Sequence, residues 1–175
     1  MGPMTIEPDT KDWTWVLERP CPECGLVAGD VDPGSVGATL TEHVTRWQRV
    51  LARPGTRERP RAEVWSPLEY AAHVRDVFDI FDERVRLMLT EDDPEFANWD
   101  QDAAAVDGDY AGRDPSELSD ELAAAAERLV ARLDAVPDDA WGRTGRRSNG
   151  SRFTIATLVQ YLLHDEVHHL VDVDG

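Results

Sequence analysis

Ser66-Pro67-Leu68-Glu69-Tyr70-Ala71-Ala72-His73 is the stretch on which the fold turns. A serine able to cap, a proline at the first helical position and a glutamate three residues after the cap together mark a helix start. The helix predicted from it runs to about Thr90, with Tyr70, His73, Val77, Ile80, Phe81, Arg84 and Met88 along one broad face. Upstream, Val36, Leu40, Val44, Trp47 and Leu51 recur at spacings of three and four, predicting a helix over Ser35 to Ala52 that stops before Arg53-Pro54-Gly55. Downstream, Asp114-Pro115-Ser116-Glu117 opens a third helix that reaches about Ala135, ahead of Pro137, and Thr154 begins a fourth that runs nearly to the C-terminus. Four long helices, with no strand large enough to form a sheet, predict an all-α four-helix bundle.

Around these helices lie three segments without their period. Residues 1–34 form an N-terminal arm, in which Trp13, Trp15 and Leu17 alternate as in a short extended segment, followed by Cys21-Pro22-Glu23-Cys24. Residues 35–175 then make up the bundle, and the whole is one domain. From Glu91 to Asp114 there is no sustained period, which predicts a long loop between the second and third helices, packed across one end of the bundle. Trp141 to Arg152 reads as a glycine- and arginine-rich connection.

The formal net charge of −17 repels phosphate backbones and anionic headgroups, so neither nucleic acid nor a membrane surface is an expected partner. No stretch approaches eighteen consecutive apolar residues, and no basic segment followed by an apolar one opens the chain, so the expected location is cytoplasmic. Lys11 is the sole lysine among 18 basic residues, a bias that looks like a GC-rich genome.

The chemistry is expected from histidines. His164 and His168 are four apart, hence only about 40° apart in direction on a helix, and can grip one ion. His169 points about 100° away from His168 and is left out of the expected site. His73 lies on the inward face of the second helix. Three of the five histidines would then enter one interior, and a shared divalent ion removes the cost of burying them. The predicted metal ligands are therefore His73, His164 and His168, with zinc the first choice and nickel or iron(II) alternatives. Three ligands leave a coordination position free, as in catalytic sites. Asp172 and Asp100 are the candidate catalytic carboxylates, Asp100 with Gln101 from a loop that could fold over the ion. Arg143, Arg147 and Tyr161 are candidate cofactor-binding groups near the metal helix, and Asp76, one turn from His73, is a candidate to orient it. Cys21 and Cys24 read as a tight turn with reduced thiols, a redox pair or a metal pair. Two cysteines cannot make a four-cysteine site within one chain, although a homodimer could supply the set.

Trp65 to His73 and Leu163-His164-Asp165-Glu166-Val167-His168-His169 resemble the second-helix entry and the paired-histidine segment of the DinB-like (YfiT-like) metalloprotein superfamily. The resemblance covers about Val36 to Val173 and leaves the arm outside it. It implies the same three metal positions. Asp172 stands where many relatives have glutamine. Because that superfamily includes mycothiol- and bacillithiol-dependent transferases and a mycothiol-dependent maleylpyruvate isomerase, the resemblance implies a metal-dependent thiol S-transferase or isomerase. Its partners would be a small-molecule thiol such as mycothiol and an electrophilic substrate. A metal-dependent hydrolase using a bound hydroxide and a non-enzymatic metal-binding bundle stay open beside it.

Overall fold

Local signals and burial agree at each long helix of the computed structural model, which describes residues 12–175. Helix α1 (Val36–Leu51) buries Leu40, Trp47 and Val50, and α2 (Pro67–Thr90) buries Leu68, Val74, Phe78 and Val85. The capping box at Ser66 is made in both directions: Ser66 Oγ accepts from the Glu69 N–H at 3.2 Å, and Glu69 accepts from the Ser66 N–H at 2.8 Å. After the short α3 (Gln101–Asp107), helix α4 (Pro115–Asp134) starts from an Asp114 carboxylate that accepts from the Ser116 and Glu117 amides. Its Leu118, Leu122 and Leu129 meet Leu158 and Leu162 of α5 (Ile155–Asp172) in the common core. Helices α1, α2, α4 and α5 are the four of the bundle.

One buried carboxylate ties the first helix to the last. Glu166 on α5 is fully buried; its Oε1 accepts from Trp47 Nε1–H at 2.9 Å, and its Oε2 lies 2.7 Å from His43 Nδ1. No helix among the described residues is long and apolar enough to cross a membrane.

The segments between helices are more ordered than their sequence suggests. Instead of an extended strand, the arm makes 3-10 turns at Thr14–Leu17, Ala28–Asp30 and Pro33–Ser35. Val16, Cys21 and Ala28 are buried, and Gln160 of α5 donates to the Gly29 and Val31 carbonyls. Buried side chains and satisfied carbonyls, rather than alternation, set this backbone; residues 1–11 lie outside the described residues. Within the expected loop over 91–114 stand a two-residue strand β1 (Glu95–Phe96) and α3, the latter capped by Asp100, which accepts from the Asp102 and Ala103 amides. The expected connection over 141–152 is a hairpin of β2 (Thr144–Arg147) and β3 (Arg152–Thr154). Strand β2 pairs in parallel with β1, giving a small three-stranded sheet that the helical period could not reveal. Gly145 lets that sheet press on α2, for a Cβ there would fall 2.9 Å from Met88 Cγ.

Candidate metal centres

Helix α5 carries two overlapping pairs at spacing four, His164 with His168 and Asp165 with His169, about 100° apart around the helix. The pairs meet different neighbours. His73, Asp165 and His169 each bring a ligand atom within 4.8 Å of the others, and Cys21, Cys24, His164 and His168 do the same. The expected trio is thus divided: His73 on α2 faces the Asp165/His169 side of α5, while the arm delivers two cysteines to His164 and His168.

In the first cluster, His73 Nε2 lies 3.3 Å from Asp165 Oδ1, and His169 Nε2 lies 3.0 Å from the same oxygen. Ligand atoms about 2.0–2.1 Å from one tetrahedral ion are about 3.3 Å apart, so these residues suit a small divalent cation. His73 is almost fully buried between the rings of Trp65 and Trp99, and its Nδ1 has no hydrogen-bond partner. Burial opposes the charge on Asp165, but His169 and His73 outweigh it and hold the carboxyl well below its usual range. Burial likewise pulls His169 down, yet Asp165 and Asp172 win and raise it to about 9. Asp172 sits behind His169, its Oδ2 2.9 Å from Nδ1, in the position of a carboxylate that fixes ring orientation.

In the second cluster, Cys21 is buried, Cys24 half-buried, and both are reduced. Cys21 Sγ lies 3.6 Å from His168 Nδ1. His168 Nε2 is 3.5 Å from Glu23 and 3.9 Å from Asp172. His164 is 4% exposed, and its buried Nε2 has no partner. Burial, helped by His168, lowers His164 to about 4, leaving a neutral imidazole. Trp13 stacks against His164 at a ring separation of 6.0 Å.

Both clusters border one cleft of about 800 Å³, walled by Trp13, Trp65, Trp99, Tyr70 and Tyr161. Burial raises Tyr70 to about 12 and raises Tyr161 as well, so both phenols keep their protons. Arg147 lines the cleft with its guanidinium over the Phe153 and Tyr161 rings and a buried Nε without a hydrogen-bond partner. Arg143 lies elsewhere, donating to the Met88 and Glu91 carbonyls at the end of α2. Asp100 reaches the cleft but caps α3. Asp76 accepts from Tyr110 and Arg75, and Asp165 is the carboxylate beside His73. Sequence reasoning did not single out Asp165 and left out His169, which the structure places beside His73; the available signal was the second pair at spacing four, one residue out of step with the first.

The sequence model of the DinB superfamily matches residues 3–172. Among solved structures, YfiT from Bacillus subtilis, described as a probable metal-dependent hydrolase with an unusual four-helix bundle topology, superposes with a TM-score of 0.68. At 20% identity the match covers 79% of this chain and 82% of that one, a likeness of fold. No curated protein matches significantly.

Proposed function

Because the chain belongs to the DinB superfamily, we propose that it is a metal-dependent hydrolase whose ion is held by His73, Asp165 and His169. The observation that carries this reading is the convergence of those three side chains, from two helices, beside an 800 Å³ cleft. Two histidines and one carboxylate are a donor set used by catalytic zinc sites, and the same set also suits iron(II). A divalent ion held there supplies Lewis acidity toward water and toward the substrate oxygen.

The remaining roles belong to the chain's own residues. Asp172, through His169 Nδ1–H, holds that ring in one orientation. Tyr70, its ring 5.0 Å from His169, keeps its proton and can donate to an oxygen on which charge builds. Arg147 offers a cation to an acidic group of the substrate, and the tryptophan walls limit water around it. The substrate class is therefore a small ester, amide or phosphoester that carries an anion.

Thiol transfer would use the same cleft, but Asp165 weighs against it. A carboxylate ligand cancels part of the ion's charge and makes an added thiolate less welcome than three neutral histidines would. The test is turnover of a panel of small anionic esters, amides and phosphoesters, with and without mycothiol, by wild-type, Asp165→Ala and Arg147→Ala protein. Hydrolysis without thiol, abolished in Asp165→Ala and with KM raised about tenfold or more in Arg147→Ala, is the expected result. Turnover only with thiol would replace hydrolysis by transfer.

A further inference from the structure

Outside the proposed catalytic ligands, the structure holds a second set of four metal-type donors. Cys21 and Cys24 stand three apart in a turn of the arm, and His164 and His168 stand four apart on α5. The turn is closed by Gly25 N–H donating to the Cys21 carbonyl at 2.8 Å and by Cys21 N–H donating to the Leu26 carbonyl at 3.0 Å. Gly25 has φ +77°, which a side chain would strain.

We propose that Cys21, Cys24, His164 and His168 form a closed, structural Cys2His2 zinc site that fastens the N-terminal arm to α5. Two independent observations support a ligand at this place. A sulfur about 2.3 Å and a nitrogen about 2.05 Å from one tetrahedral ion are about 3.6 Å apart. Cys21 Sγ and His168 Nδ1 are separated by 3.6 Å, the spacing that such a pair of ligands would have. His164 Nε2 is buried with no partner, a cost that a bond to an ion removes. The surroundings agree. With Nδ1 on the ion, His168 Nε2–H faces Glu23 and Asp172, the carboxylate arrangement that orients metal-bound imidazoles.

On binding, each thiol gives its proton to solvent, and two thiolates neutralise the double-positive ion. Four protein ligands complete the tetrahedron and leave no place for substrate, which separates this site from the three-ligand one. Its effect on function is indirect. Trp13 and Glu23 belong to the cleft wall, so fastening the arm shapes that wall.

The test is metal content and cobalt(II) spectroscopy of the full chain, purified under reducing conditions. Wild-type protein should hold two ions, and the cobalt form should show thiolate-to-cobalt charge transfer with the strong visible bands of a tetrahedral ion. Cys21→Ser/Cys24→Ser should lose one ion and the charge transfer together, and the arm before Val36 should become open to limited proteolysis. His73→Ala should keep the charge transfer, so failure of the catalytic reading is seen separately from failure of this one. Should the double variant not fold, His168→Cys, which preserves four ligands, should keep the ion and strengthen the charge transfer. Absence of thiolate charge transfer in wild-type protein, or retention of both ions by the double variant, would overturn the proposal. So would purified reduced protein that forms a Cys21–Cys24 disulfide in air at the same rate with and without added zinc.

Discussion

At the scale of single residues, Glu69 shows how one side chain can serve two partners. It closes the capping box of α2 and takes a guanidinium pair from Arg59, with Nε 2.9 Å from Oε2. Burial pushes its carboxyl up, but the Arg59 and Ser66 donors outweigh burial and hold it below the ordinary 4.5. A carboxyl lowered in the folded state stabilises fully above its unfolded value and loses that contribution as pH falls through the folded one. Glu69→Gln should therefore be less stable by about 1–3 kcal/mol near neutrality, and the gap to wild type should close in acid. Urea midpoints measured across that range check it; a gap independent of pH would mean the ionised carboxylate is not what matters. The histidines teach a related lesson about legibility. Their type and spacing pointed to α5 as a candidate metal helix, but which member of each pair joins which cluster depends on what α2 and the arm bring to it. Helical angle alone cannot supply that information, because His164/His168 and Asp165/His169 satisfy the same spacing rule.

At the scale of elements, the four bundle helices were readable from the caps at Ser66, Asp114 and Thr154 and from the apolar period of α1. The sheet was not, since strands of two to four residues carry no period and form only because β2 finds both β1 and β3 alongside it. Nor was the clamp between α1 and α5. Glu166 reads in sequence as one more acid of a charged helix face, yet it is enclosed and bonded to Trp47 and His43. Glu166→Ala removes the acceptor, leaving the Trp47 indole N–H unpaired in the core and His43 without its carboxylate at the core's edge. It should cost about 3–5 kcal/mol. Thermal unfolding of the variant measures this, and a loss under about 1 kcal/mol would show that water readily replaces the carboxylate.

At the scale of the whole molecule, 35 acids against 18 basic residues make self-repulsion the dominant long-range force. Many surface acids already have arginine partners, such as Asp79 with Arg128 and Asp82 with Arg132, so the excess rather than the pairs should govern the response to salt. Raising sodium chloride at fixed pH should therefore raise the melting temperature, with each ~1 kcal/mol gained appearing as about 2–4 °C. A falling melting temperature would place the ion pairs in control instead. The two interleaved pairs of α5 also bear on how such a chain can change by insertion and deletion. A residue gained or lost within the turn from His164 to His169 would rotate everything beyond it by about 100°, exchanging partners at both clusters in a single event. Outward-facing positions of this helix can accept substitutions one at a time, but its length across that turn is bound to two sets of neighbours. A frame-preserving insertion that is harmless in the hairpin turn at Asn149 would here misdirect both clusters, so α5 should tolerate altered length poorly.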